Sequence, residues 1–203
     1  LWGVGVRSAG NQVGNGAPIW ATKMDGLPVG QHDMWELYYL DPGVIRAFDN
    51  FWNTTGKHPE LMEHYAKAWQ AVAQYFADSE TVVAYDLMNE PVLDGKADQG
   101  WLTGELGGKY FVQRLTLTPG KRSAVEIAKA WVNQLTAAIR AEDPSHLITV
   151  GVIPWAQIWP DAKPVFYSPE VSPALDFVSV HIYPKTGEID RALTVRGLKV
   201  SAT

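Results

Sequence analysis

Glu90 stands at the end of a strand-like run rich in apolar residues, Val82-Val83-Ala84-Tyr85-Asp86-Leu87-Met88, with Asn89 before it and Pro91 after it. A carboxyl at the rim of a buried core loses solvation, which raises its pKa. An acid that stays protonated near neutral pH can donate to a leaving oxygen and then serve as base. Asn89 adds an amide with donor and acceptor together, suited to a sugar hydroxyl. Pro91 predicts an extended backbone at Glu90, which would hold its side chain in one direction. A surface glutamate in a turn closed by Pro91 fits the tripeptide equally well. His181 and Tyr183, two apart on the run Phe177 to Tyr183, share one face of a strand. Such a pair is more often two satisfied core residues, and its place at a strand end moves the balance toward function.

Nine tryptophans divide by context. Trp52, Trp69 and Trp131 fall on helical stripes and read as core. Trp2, Trp20, Trp35, Trp101, Trp155 and Trp159 fall in loops, where a flat ring that stacks on a sugar face is one reason for exposure. Trp155 directly follows a strand end and is the leading candidate for substrate binding, with Trp20 and Trp35 behind it; loop packing explains the other positions as well. The five histidines show no metal-ligand spacing. Gly104-Glu105-Leu106-Gly107-Gly108 lacks the Lys-Ser/Thr ending of a phosphate loop, and no Gly-x-Ser-x-Gly elbow is present. Cysteine is absent, which excludes disulfides, thiolate metal sites and a cysteine nucleophile.

These residues need elements to position them. Three seven-residue runs read as buried strands: 82–88, Leu147 to Ile153, and Phe177 to Tyr183. None alternates cleanly, as expected for strands covered on both faces of a parallel sheet. Leu61, Tyr65, Trp69, Val72 and Phe76 predict a helix over 59–77 with these residues on one face. Ser123 and Glu126 form a capping-box pair at the start of a second helix, 123–141, whose stripe is Ile127, Trp131, Leu135 and Ile139. Asp41-Pro42 opens a shorter amphipathic helix with Val44, Ile45, Phe48, Phe51 and Trp52. Residues 10–30, rich in Gly, Asn and Pro, read as a long loop. Helix and strand alternate, which predicts an α/β fold. The strand ends Asn89-Glu90-Pro91, Pro154-Trp155 and His181-Ile182-Tyr183-Pro184 then point to one common site, because such folds place sites where strand C-termini open onto loops.

Composition narrows the class. The chain has 203 residues, 17 Lys plus Arg against 22 Asp plus Glu and a net charge of −5, with 46% hydrophobic and 19% charged residues. That fits a globular domain, excludes a disordered chain and argues against a nucleic-acid partner, which would call for a basic surplus. No apolar run reaches the ~18–20 residues of a membrane span.

The segment Tyr85-Asp86-Leu87-Met88-Asn89-Glu90-Pro91 resembles glycoside hydrolase family 5, the cellulase family of clan A, whose (β/α)8 barrels carry Asn-Glu-Pro at the end of the fourth strand. Val178-Ser179-Val180-His181-Ile182-Tyr183 resembles the sixth strand, and Leu147 to Trp155 the fifth. Residues 16–21, 47–52 and 107–112 are similar to the endoglycoceramidase-like branch. The resemblance spans about 10–193 and implies a partial (β/α)8 TIM barrel, from the third-strand loop to the start of the sixth helix, forming a single incomplete catalytic domain over 1–203. It implies a retaining hydrolase of β-linked glycans: Glu90 as acid/base, Asn89 on the sugar 2-hydroxyl, and His181 and Tyr183 lining the cleaved subsite. No metal or organic cofactor is implied, and secretion or a periplasmic location is what the family suggests. The parent is read as a cellulase-like endo-β-glucanase, with two alternatives: endoglycoceramidase-like cleavage of a glycoconjugate, or an inactive carbohydrate-binding fragment. The last arises because retention needs a second carboxylate. The family's seventh-strand Glu is expected to be absent from this chain, and Glu105, Glu170 and Glu188 are poor substitutes.

Overall fold

Two long helices are built as their stripes require. In the computed structural model, which describes residues 4–8, 11–15, 17–32, 38, 40–91, 93–96, 102–106, 109–113, 115–152 and 165–181, these are α2 (Glu60–Phe76) and α3 (Ala124–Arg140). Ser123 Oγ accepts from Glu126 N, and Glu126 Oε2 accepts from Ser123 N at 2.6 Å, so the capping box satisfies two donors that a helix start otherwise orphans. All four stripe residues of α3 are buried. On α2 the buried line runs through Leu61, Ala66 and Ala73, while Val72 is 38% exposed, a departure from the expected stripe. Ala73 takes the inward position, and Val72 is turned off that line by one residue. A shorter helix, α1 (Pro42–Phe51), begins with Pro42 in its first turn and buries Val44, Ala47, Phe48 and Phe51. Trp131 joins these helices: its ring meets Trp52 edge-on at 5.4 Å and stacks near Tyr65 at 6.2 Å.

Three strands form the parallel sheet on which the helices pack: β3 (Ala84–Asn89), β6 (Leu147–Val152) and β7 (Ser179–Val180), with β6 in the middle. Tyr85 and Leu87 of β3, and Ile148, Val150 and Val152 of β6, are buried toward the helices. Asp86 lies on the other face. The expectation of strands covered on both faces holds for the central strand β6, buried from Ile148 to Val152, and fails at its neighbours: Asp86 of β3 keeps part of its surface in solvent, and Phe177 and Val178 just before β7 are exposed. Tyr65 Oη and Trp69 Nε1 both donate to Leu87 O, at 2.6 and 3.2 Å, which sets the first turns of α2 level with the C-terminal end of β3.

Two antiparallel hairpins lie outside this sheet. The first pairs β1 (Val4–Ser8) with β2 (Asn11–Asn15), and β2 occupies the start of the stretch 10–30 expected to be a loop. The Gly and Asn residues of β2 carry weak β propensity, which is why composition conceals a strand there. The second, β4 (Leu102–Leu106) with β5 (Lys109–Gln113), lies within the insertion 92–122; Gly107 and Gly108 separate the two strands, a dipeptide favoured in two-residue hairpin turns. Two buried aspartates fasten the base of this insertion. Asp94 accepts from Gly95 N and Leu115 N, at 2.7 and 2.8 Å; Asp49 accepts from Leu117 N at 2.9 Å and from the Thr116 hydroxyl. No described helix is long and apolar enough to cross a membrane.

Candidate active site

At the C-terminal end of β3 the ladder with β6 slips. Asp86 pairs with Thr149, but the next pair is Asn89 with Gly151, so β3 carries one residue more than its partner over this step. Such a bulge bends a strand and re-aims the residues after it. The Asp86 carboxylate fits into it: Oδ1 accepts from Gly151 N at 2.8 Å, and the carboxylate also accepts from Met88 N. Beyond the bulge, Glu90 N donates to Gly151 O at 2.7 Å.

Glu90 has φ +49°, in the left-handed region, and not the extended backbone that Pro91 predicts. A non-glycine residue held there costs on the order of 1–2 kcal/mol. The bulge and the bond to Gly151 O override the local preference of the residue before a proline. Their effect is to send the Glu90 side chain across the top of β6. Its Oε1 lies 2.8 Å from His181 Nδ1, just past the end of β7, and the two side chains are only 10% and 20% exposed. Two of the residues that the strand ends single out, Glu90 and His181, are therefore in direct contact across the middle strand.

Gly151 makes that contact possible. A Cβ at this position would lie 2.6 Å from both Asp86 Oδ2 and His181 Nε2, closer than real Cβ contacts come. Burial pushes the Asp86 carboxyl above its ordinary range, against the hydrogen bonds from Gly151 N and Met88 N and the pull of His181. Asp86 and Gly151 lie within the segments that carry the family resemblance, but neither was given a role there. The legible signals were a lone carboxylate inside a strand run and a glycine inside another, the latter a mark of close approach.

Asn89 ends β3 on the exposed side, beside Glu90, where the sequence puts it. Trp20 is 54% exposed and meets the His64 ring of α2 edge-on at 5.2 Å; no described contact joins it to Glu90. Tyr183, Trp155, Trp35 and Glu188 lie outside the described residues. Glu105 falls in β4, and Glu170 is exposed near Phe166, which packs on Trp131. Among the described residues no cluster of His, Asp and Glu is arranged to hold a metal ion.

The profile of cellulase, glycosyl hydrolase family 5, matches residues 45–194, which include α1 to α3, the parallel sheet and the Glu90–His181 pair. The chain belongs to this family. An endoglycoceramidase of Cyanea nozakii is 28% identical over 121 residues, covering 60% of this chain and 20% of that protein. Endoglycoceramidase I of Rhodococcus hoagii (strain 103S) is 27% identical over 176 residues, covering 84% of this chain and 30% of that protein. Among solved structures, the lactosyl-enzyme intermediate of endo-glycoceramidase II from Rhodococcus sp. superposes with a TM-score of 0.63 at 40% identity, over 95% of this chain and 39% of that one. The ganglioside GM3 complex of the same enzyme gives 0.59 at 38% identity, over 93% and 39%. The chain thus spans less than a third of the curated relatives' length and about two fifths of the solved enzyme. Membership of family 5 implies the (β/α)8 barrel architecture, and the described elements are α/β with a three-stranded parallel sheet.

Proposed function

We propose that this chain carries the acid/base side of a retaining β-glycosidase of the endoglycoceramidase kind, which cleaves a β-linked glycan from a lipid aglycone. The observation that carries the reading is the Glu90 carboxyl, turned across the sheet by the bulge, largely buried, and hydrogen-bonded at 2.8 Å to His181. Glu90 protonates the departing glycosidic oxygen and then takes the proton of the incoming water. Asn89 bonds the sugar 2-hydroxyl. Tyr183 and His181 line the cleaved subsite, and Trp155, with Trp20 and Trp35, offers sugar-stacking rings. In this reading β3, β6 and β7 are the fourth, fifth and sixth strands of the barrel, and 1–203 is one unit of the catalytic domain. The partner carboxylate, required at ~5–5.5 Å for a covalent glycosyl intermediate, is not among the described residues. The identity to endo-glycoceramidase II and to the endoglycoceramidases of Cyanea nozakii and Rhodococcus hoagii supports this reading over a cellulase.

The test is hydrolysis of lactosylceramide and of carboxymethylcellulose by the gene product containing this chain. Release of free lactose from lactosylceramide, reduced about 10²–10⁴-fold in Glu90→Gln, is the expected result. Cleavage of the cellulose derivative alone would assign the substrate class to the endo-β-glucanases, and undiminished activity of Glu90→Gln would remove the acid/base assignment.

A further inference from the structure

Among the described residues, Asp86 is the carboxylate on the parallel sheet's open face that the catalytic roles above leave unused. It stands on β3 below the bulge, anchored by Gly151 N at 2.8 Å, and its other oxygen is aimed over Gly151. On the far side of the same glycine is His181 Nε2. Each of these atoms would be 2.6 Å from a Cβ at Gly151, so the two are separated by no more than twice that distance. The opposite ring nitrogen of His181 is the one that meets Glu90. A line of groups therefore runs Asp86, His181, Glu90 from strand to strand, passing over a residue that has no side chain.

We propose that Asp86 is a positioning residue for the acid/base, acting through the His181 imidazole across the gap left by Gly151. A carboxylate facing Nε2 favours the ring orientation that presents nitrogen, not carbon, to it, and so fixes Nδ1 toward Glu90 Oε1. With one oxygen of Glu90 held by His181, the other is left to carry the proton toward the leaving oxygen. His181 draws the Asp86 carboxyl down, against the larger effect of burial that raises it. Among the described residues, the other titratable groups within reach of the Asp86 charge are Tyr65 of α2 and Tyr167, and both hydroxyls are committed to backbone carbonyls, Leu87 O and Val150 O. They leave His181 as the group through which Asp86 acts on Glu90. This inference rests on Glu90 being the acid/base.

The experiment compares two substrates that differ in their need for a proton. Lactosylceramide has a poor leaving group that must be protonated, whereas 2,4-dinitrophenyl β-lactoside releases a phenolate that needs none. In Asp86→Asn, nearly isosteric, kcat/KM for lactosylceramide is expected to fall about tenfold or more, a part of the 10²–10⁴ that a general acid supplies. The value for the dinitrophenyl lactoside is expected to stay within about threefold on the same ground. Gly151→Ala, whose Cβ would drive the flanking groups apart, is expected to give the same substrate-dependent loss. Equal losses on both substrates by Asp86→Asn, or no loss on either, would overturn the proposal by reducing Asp86 to a structural role. Glu90→Gln is the control. If it shows the leaving-group dependence and Asp86→Asn does not, this inference alone fails; if Glu90→Gln shows none, the acid/base assignment fails and this inference with it.

Discussion

Substituting Asp143 by Asn should destabilise the fold by an amount that depends on pH, without touching the C-terminal end of the sheet. Asp143 follows α3, is fully buried, and accepts from Tyr85 Oη at 2.6 Å, His146 Nδ1 at 2.5 Å, Ser145 N at 2.9 Å, Ser145 Oγ at 3.0 Å and His146 N at 3.1 Å. His146 Nε2 meets Ser79 O at 2.9 Å, so the network ties the turn before β3 to the turn before β6. Burial pushes the Asp143 carboxyl up, but the donors outweigh it and hold it well below the usual carboxylate range. Burial and the neighbouring carboxylate push the Tyr85 phenol up to about 12. The Ser79 carbonyl and Asp143 together raise His146 despite its desolvation. An asparagine keeps one acceptor oxygen and turns a donor toward the remaining partners. Loss of two charge-assisted hydrogen bonds, those from Tyr85 and His146, costs about 3 kcal/mol at about 1.5 each. For a chain of this size that is a fall in Tm of roughly 6–12 °C.

The pH dependence has a definite sign. The Asp143 contribution is present above its unfolded pKa near 3.8 and is lost as pH falls toward its lower folded value. The His146 contribution is complete below 6.5 and is lost as pH rises through its raised folded value. The gap in Tm between the native protein and Asp143→Asn is therefore expected to be widest between about pH 4 and 6.5 and to narrow above. Calorimetric melts from pH 4 to 9 measure it. A gap below about 2 °C, under the 1 kcal/mol equivalent, or one that widens with rising pH, would refute the reasoning.

Other expected outcomes follow from the same geometry. Gly95→Ala places a Cβ 2.4 Å from Ala124 N and 2.7 Å from Ser123 C, so α3 must shift; a loss of about 1–3 kcal/mol should register as a lower urea midpoint. Ser123→Ala removes the cap of α3 and should cost about 1 kcal/mol, read as a Tm lower by roughly 2–4 °C. Asp94→Ala frees the Leu115 amide, and faster hydrogen exchange at Leu115 with unchanged exchange in α3 is the expected signature of an insertion unfastened at its base.

The helices were legible because their positions obey simple local rules. Ser123 and Glu126 announce a helix start by reciprocal hydrogen bonding, and Ile127, Trp131, Leu135 and Ile139 recur at the spacing that buries one face. The strands of the parallel sheet were legible as short β-rich runs, though the first and third both begin two residues later than expected, and His181, expected on the third strand, lies just past its end. What stayed hidden depended on the neighbours. Pro91 states a preference for extended backbone, but the bulge and Gly151 O impose a left-handed Glu90. Val72 matched the helical period as well as Ala73 did, and only the packing of two helices chooses between them. Asp86 and Gly151 gain their meaning from lying side by side in adjacent strands, 65 residues apart in sequence, which no linear spacing displays. The hairpins were hidden by compositions that argue for loops.

The most direct test of the central claim is the product formed by Glu90→Ala with 2,4-dinitrophenyl β-lactoside in the presence of azide. Without the acid/base, the activated substrate still forms the glycosyl-enzyme, and azide takes the place of the water that Glu90 would have deprotonated. The account predicts that β-lactosyl azide accumulates, with the configuration retained, and that turnover rises with azide concentration. Formation of α-lactosyl azide would make Glu90 the nucleophile, and an azide-independent rate equal to that of the native protein would remove it from the chemistry altogether.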